Sequence, residues 1–151
     1  MTDAIDVAFH QYPRASPSYH SGMSEENRGS MPLSAYDLSA GMFARGLNGL
    51  KTILTKGEAH AAAVGKPSAS LLEAQLANDM NGLAVQVHWA AEGAKLSIAR
   101  LLGITPTAST NQAKTMADLR QRIDDTLLHL GALAAQDLEL GLTRVIEIEH
   151  R

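Results

Sequence analysis

At 151 residues the chain has room for one domain, and 45% hydrophobic but only 4% aromatic residues make its core aliphatic. A formal net charge of −3, with Lys and Arg spread singly along the chain, leaves no basic stripe and excludes nucleic acid as the main partner. The absence of cysteine excludes disulfides, thiolate metal sites and a Cys nucleophile.

The opening MTDAIDVAFHQYPRAS carries early acids and no apolar run, so no secretory signal is expected. No stretch approaches the ~18–20 apolar residues of a membrane span. A protein of this kind is expected in the cytoplasm, without a membrane partner. Residues 1–30 read as a disordered tail, with Pro13, Pro17, Gly22 and Gly29 among polar residues and no sustained period. Met23 and Met31 stand beside Met1 as alternative starts, and residues 31–151 form the expected domain.

Organised structure is expected from Ser34, a natural N-cap, with Asp37 at the positive end of the helix dipole. Tyr36, Ala40, Phe43, Leu47, Leu50 and Leu54 recur at spacings of three and four, which predicts one apolar helix face. That helix runs to about Val64, stops at Gly65 and is barred by Pro67. A helical turn over Ser70–Ala74 follows. Asn78 and Asp79 then offer a cap for a second helix carrying Met80, Leu83, Val87, Ala90, Ala94, Ile98 and Leu101, ending at Gly103.

The Thr/Ser/Asn-rich stretch 104–114 reads as a loop. Thr115 with Asp118 three residues on resembles a capping box. Met116, Leu119, Ile123, Leu127, Leu130 and Ala134 form a third apolar face that frays near Asp137. The last segment, Arg144 to Glu149, is β-branched and partly alternating, which predicts a short C-terminal strand. The fold class is therefore all-α: an antiparallel bundle of three helices with that strand appended.

Metal binding is the first chemistry to test, because bundles hold metals with inward His and carboxylates. One His falls on each helix: His60, His88 and His129. At ~100° per residue each lies roughly 110–120° from the centre of its apolar stripe, on a solvated flank rather than a shared axis. No HxxxH or ExxH pair occurs. No metal and no cofactor are expected.

Nucleophilic catalysis lacks a GxSxG turn. Gly41, Gly46 and Gly49 follow no strand, so they form no phosphate loop. Asp124 and Asp125 point ~100° apart and sit beside Arg120 and Arg122, as on a charged solvent face. Catalytic residues are not assignable. Tyr36, Phe43, Met80 and His88, near the helix seams or their edges, are the candidates for lining a small-ligand pocket.

Val85, Trp89 and Leu96 form a second stripe nearly opposite the core stripe of the second helix. A lone Trp with a Leu is an unusual free surface, so another element or a second copy should cover it.

The segments MPLSAYDLSAGMFARGLNGLKTIL and LLEAQLANDMNGLAVQVHWAAEGAK, followed by ARLLG and the Thr115-x-x-Asp118-Leu119 start of the third helix, resemble the uncharacterised DUF1993 family. The most specific pieces are Leu76 to Met80 and Gln86-Val87, and the resemblance spans about residues 31–135. The family is grouped with DinB/YfiT-like four-helix bundles, some of which carry a metal on three histidines and some of which act as thiol-dependent transferases. The resemblance implies an up-down-down-up bundle with a β-hairpin before the last helix. It does not imply a metal here.

In that family a His-containing fourth helix ends in a Tyr and Leu-Arg, whereas this chain stops at Arg151, before such a helix. The expectation is then a groove left open between three helices, in a fragment, a frame-altered product or a homodimer that fills it. Two functions stand side by side: a self-associating bundle with no inferable catalysis, and a DinB-like metal-dependent enzyme such as a small-thiol transferase.

Overall fold

A computed structural model describes residues 33–106 and 108–146. The expected tail (1–30) and the Glu147–Glu149 half of the expected strand lie outside the described residues.

The first rod begins where Ser34 and Asp37 cap each other: the Asp37 N–H donates to Ser34 Oγ at 3.0 Å, and the Ser34 N–H donates to Asp37 Oδ2 at 3.3 Å. Helix α1 (Ala35–Leu38) is interrupted at Ser39, whose φ of −121° and ψ of −89° are not helical. Helix α2 (Ala40–Ala63) resumes the same rod and buries Ala40, Leu47, Leu54 and Ala61. Gly65, at φ 70°, supplies the left-handed residue that ends it.

A 3₁₀ turn follows at Ser68–Leu71. Helix α3 (Leu83–Leu102) starts three residues later than Met80, with Gly82 rather than Asn78 or Asp79 at its N-cap. The segment after the 3₁₀ turn explains the shift. Leu83 N–H donates to the Ala74 carbonyl and Ala84 N–H to the Leu72 carbonyl, each at 3.0 Å, so two orphan donors of the first turn are satisfied by backbone. That approach needs a residue without a side chain: a Cβ on Gly82 would stand 3.0 Å from the Leu72 carbonyl oxygen and from Glu73 Cα.

Helix α4 (Met116–Gly131) opens on the Thr115–Asp118 capping box and buries Met116, Leu119, Ile123, Thr126 and Leu130. It stops at Gly131 instead of fraying near Asp137. A further helix, α5 (Ala135–Gly141), follows and is anchored by buried Leu138, with Leu133 buried just before it. Counting α1 and α2 as one rod, the described residues hold four helical pieces, not the three expected.

No strand forms among the described residues, and Arg144–Ile146 run without ladder partners. A single strand has nothing to pair with. The Arg144 guanidinium instead lies over Gly103, in the space a Cβ there would take.

Ion pairs fix the direction of the rods. Lys51 meets Asp124 at 2.5 Å and Arg120 meets Glu58, so rising numbers on α2 match falling numbers on α4. The pair is antiparallel. At the α1 end, the Ala35 N–H donates to Glu139 of α5 at 2.6 Å, and α5 in turn packs on Leu101 near the end of α3. Helix α3 is therefore also antiparallel to α2, which makes α3 and α4 parallel neighbours. Parallel helices need a crossover, and the chain between α3 and α4 supplies it; its described residues, 104–106 and 108–114, hold no helix or strand. Leu47, Leu54, Val87, Ala91, Ala94, Ile98, Leu119, Ile123, Leu130 and Leu138 share one aliphatic core.

Helix α5 approaches the backbone of α3 closely at Gly141. A Cβ on Gly141 would stand 2.5 Å from the Leu101 carbonyl oxygen, whereas one on Gly131 would meet nothing within 4 Å. Gly141→Ala should lower stability in urea denaturation by about 1–3 kcal/mol. Gly131→Ala should be neutral or stabilising by up to about 1 kcal/mol.

Candidate functional site beneath the crossover

At ~100° per residue, Val87, Ala91, Ala94 and Ile98 define the core side of α3. The buried arc does not end there. His88, Glu92, Lys95 and Ala99 lie on the next quarter-turn and are buried too, so the expected core face is rotated toward them. The predicted member Ala90 is exposed and Ala91 is buried in its place. The crossover causes this rotation by roofing a flank that its polar side chains mark as solvent-facing.

Glu92, 5% exposed, is the anchor. Its Oε1 accepts the Ser109 N–H at 2.8 Å and its Oε2 accepts the Ser109 hydroxyl at 2.6 Å. Both are charge-assisted bonds to a carboxylate in a largely dry site. Arg122 of α4 reaches the same loop, donating to Ser109 Oγ at 3.4 Å and to the Thr110 carbonyl at 3.3 Å. One loop residue is thus held from both parallel helices.

His88 and Lys95 flank this anchor, 7% and 6% exposed. Burial holds the His88 imidazole below its ordinary value of 6.5, and the Arg122 and Lys95 charges push the same way against Glu92 and the Ser109 backbone. It is therefore neutral at pH 7, and its Nδ1 is buried without a hydrogen-bond partner.

A cavity of about 270 Å³ opens beside this cluster, lined by Lys95, Gln112, Asp118, Arg122 and Asp125 among others. Asp118 belongs to the start of α4. The Lys114 N–H and the Thr115 hydroxyl hold its carboxyl below the usual range.

A family model described as a domain of unknown function (DUF1993) matches residues 35–151. The chain belongs to the DUF1993 family. A solved structure titled as a DinB family member protein from Shewanella denitrificans is 36% identical, with a TM-score of 0.63. The match covers 68% of this chain and 59% of that one, so this chain spans about three fifths of the solved protein's length. No curated protein matches the chain.

The resemblance to DinB/YfiT-like bundles implies a three-histidine metal site in some relatives, and the donors among the described residues here do not fit one. Among the described residues no three His, Asp or Glu side chains gather as a metal would need. His60 is exposed near the end of α2, His88 is under the crossover, and His129 is on the last turn of α4. The expectation of a solvated flank fails for His88, because the crossover covers it.

The four candidate pocket residues are not brought together. Tyr36 is half-buried at the α1 end, donating its hydroxyl to the Leu130 carbonyl at 3.3 Å. Met80 lies before α3, at the opposite end of the bundle, and Phe43 packs half-buried against the core. Only His88 borders the polar cluster. Of the second stripe, Val85 and Leu96 are half-buried and Trp89 is 52% exposed. Val85 lines a second cavity with Ala113 and Lys114, so the crossover covers one edge of the stripe.

Sequence reasoning singles out none of Glu92, Lys95 and Ser109 as site residues, and it assigns Arg122 to a charged solvent face. Their one signal is the spacing His88-x3-Glu92-x2-Lys95, which sets three titratable groups on one flank of an apolar helix.

Two measurements bear on this cluster. Ser109→Ala removes the hydroxyl bond to Glu92 and should cost about 1.5–3 kcal/mol in chemical denaturation. For His88 the folded pKa lies below the unfolded one, so its contribution is complete above pH 6.5 and is lost as pH falls from there toward the lowered value. The melting temperature should drop in that window, and His88→Gln should flatten the drop.

Proposed function

We propose that this protein is a binding module that holds a small polar molecule in the cavity between α3, α4 and the crossover. The observation that carries the reading is Lys95: a lysine only 6% exposed, lining that cavity, with no hydrogen bond or ion pair to any described residue. Its stem is packed away while its ammonium reaches the open cleft, where the charge is available to a ligand. Non-catalytic binding is favoured over the metal-dependent alternative because the cluster offers orienting charges but no gathered set of metal donors among the described residues.

A cytoplasmic location belongs to the same proposal. It is supported by a cysteine-free chain and by the lack of any described helix long and apolar enough to cross a membrane. The pocket is centred on Lys95 and Arg122, with His88 beside the same cluster.

Pairing of two copies is a second reading, resting on Trp89. This indole, 52% exposed, lies between half-buried Val85 and Leu96 on the same side of α3, with exposed Gly93 leaving the surface flat. A stripe of this kind is self-complementary across a two-fold axis, and a net charge of −3 offers little repulsion.

Each reading has its own measurement. Mixtures of polar metabolites added to the ¹⁵N-labelled protein should shift the backbone amides of Gln112, Ala113, Gln121 and Arg122 saturably, and Lys95→Met should abolish those shifts. An unresponsive cleft would rule the binding reading out. Sedimentation equilibrium should give a dimer for the native chain and a monomer for Trp89→Glu; a monomeric native protein would remove the pairing.

A further inference from the structure

The cavity is lined by charges of both signs. Lys95 stands on its α3 wall without an acidic partner. The nearest carboxylate on its own helix, Glu92, is engaged by the Ser109 N–H and hydroxyl. Arg122 is on the α4 wall, and its hydrogen-bond acceptors, Ser109 Oγ and the Thr110 carbonyl, are both neutral. Among the described residues the ion pairs are Lys51–Asp124 and Arg120–Glu58, and neither involves these two cations. Two positive groups thus face one cavity with no described negative partner.

The α4 wall also carries two exposed carboxylates. Asp118 is tied through Oδ2 to the Lys114 and Thr115 N–H groups, and Asp125 accepts the Gln121 amide at 2.7 Å through Oδ1. Each retains a second oxygen with no hydrogen bond to a described residue. A dianion entering the cavity would meet these carboxylates and be repelled, whereas a ligand with one carboxylate and one ammonium would complement both sets. A volume of about 270 Å³ is near the lower end of the ~300–1,000 Å³ range of ligand pockets, so the occupant is small.

We propose that the cleft binds a small zwitterion, an α-amino acid, with its carboxylate on Lys95 and Arg122 and its ammonium toward Asp118 and Asp125. The proposal rests on the binding role given to this cavity above and adds the class of ligand. Arg122 supplies a planar fork suited to a carboxylate, and Lys95 supplies a point charge. The crossover takes part as well, since it holds Arg122 in place through Ser109 and Thr110.

Titration of the full ¹⁵N-labelled chain at pH 7.5 and fixed ionic strength tests this, with glycine, L-alanine, acetate and methylammonium as separate probes. The two amino acids should shift the Ala113, Gln121 and Arg122 amides saturably, about tenfold or more tighter than acetate or methylammonium. Lys95→Met should weaken the amino acids by at least that factor. Asp125→Asn should erase their advantage over acetate, and this variant decides the matter if Lys95→Met does not fold. Acetate binding as tightly as glycine, or an unaltered preference in Asp125→Asn, would overturn the zwitterion assignment. Saturable shifts from other polar metabolites with the amino acids silent would overturn it too, yet leave the cavity's binding role standing. Silence from every compound would remove both.

Discussion

The fold turns on a pair of hydrogen bonds from one serine to one buried carboxylate. Ser109 donates its N–H and its hydroxyl to Glu92, and through that contact the chain between α3 and α4 is held against the side of α3. The requirement arises from topology. With α2 antiparallel to both partners, α3 and α4 run in the same direction, and their ends lie a helix length apart. The 16 residues of α4 span about 24 Å, and the eleven residues 104–114 can cover that distance only when extended. An extended segment makes no internal backbone ladder, so its polar groups need partners from elsewhere. Glu92 and Arg122 supply them at its midpoint.

A roofing segment changes what counts as interior. His88, Glu92 and Lys95 would each be a solvated residue on a free helix flank; under the crossover they are buried, and the polar interactions among them act at higher effective strength. Glu92 is balanced by its two donors. The other members are not equally provided for: His88 is kept neutral mainly by its burial, and Lys95 faces a cavity instead of a counter-charge. The same contact that closes the fold therefore leaves a polar pocket beside itself, and structure and candidate site cannot be separated.

Much of the helical frame was legible in the residues, and the reasons are specific. Ser34–Asp37 and Thr115–Asp118 are local devices whose geometry is set within four residues, and both form as their spacing implies. Gly65 and Gly103 carry the positive φ that ends α2 and α3. Errors began where a distant segment decided the outcome. The start of α3 moved from Met80 to Leu83 because carbonyls of residues 72 and 74 take its first N–H groups. Helix α5 escaped notice because seven residues carry too little periodicity to stand out, and its place depends on Gly141 touching α3. The site was hidden for the same reason: periodicity assigns polar residues to solvent, and nothing local to His88 or Glu92 announces a loop some twenty residues onward.

That distinction bears on how a DUF1993 bundle could acquire function. A helix face can change only by keeping the core volume of neighbours such as Ile98 and Ile123, both fully buried, so its chemistry is constrained by packing. The crossover is freer. Apart from Ile104, Ser109, Thr110 and the residues leading into Thr115, its described side chains bear little of the fold, yet it closes one side of the cavity through Gln112 and Ala113. Substitutions there would alter what fits between Lys95 and Arg122 without disturbing the three rods. The parallel pair of helices, which obliges the chain to cross over, is thus also what places a variable segment above a fixed set of charges. Specificity would then reside in residues 104–114, and the ability to bind at all in Lys95 and Arg122.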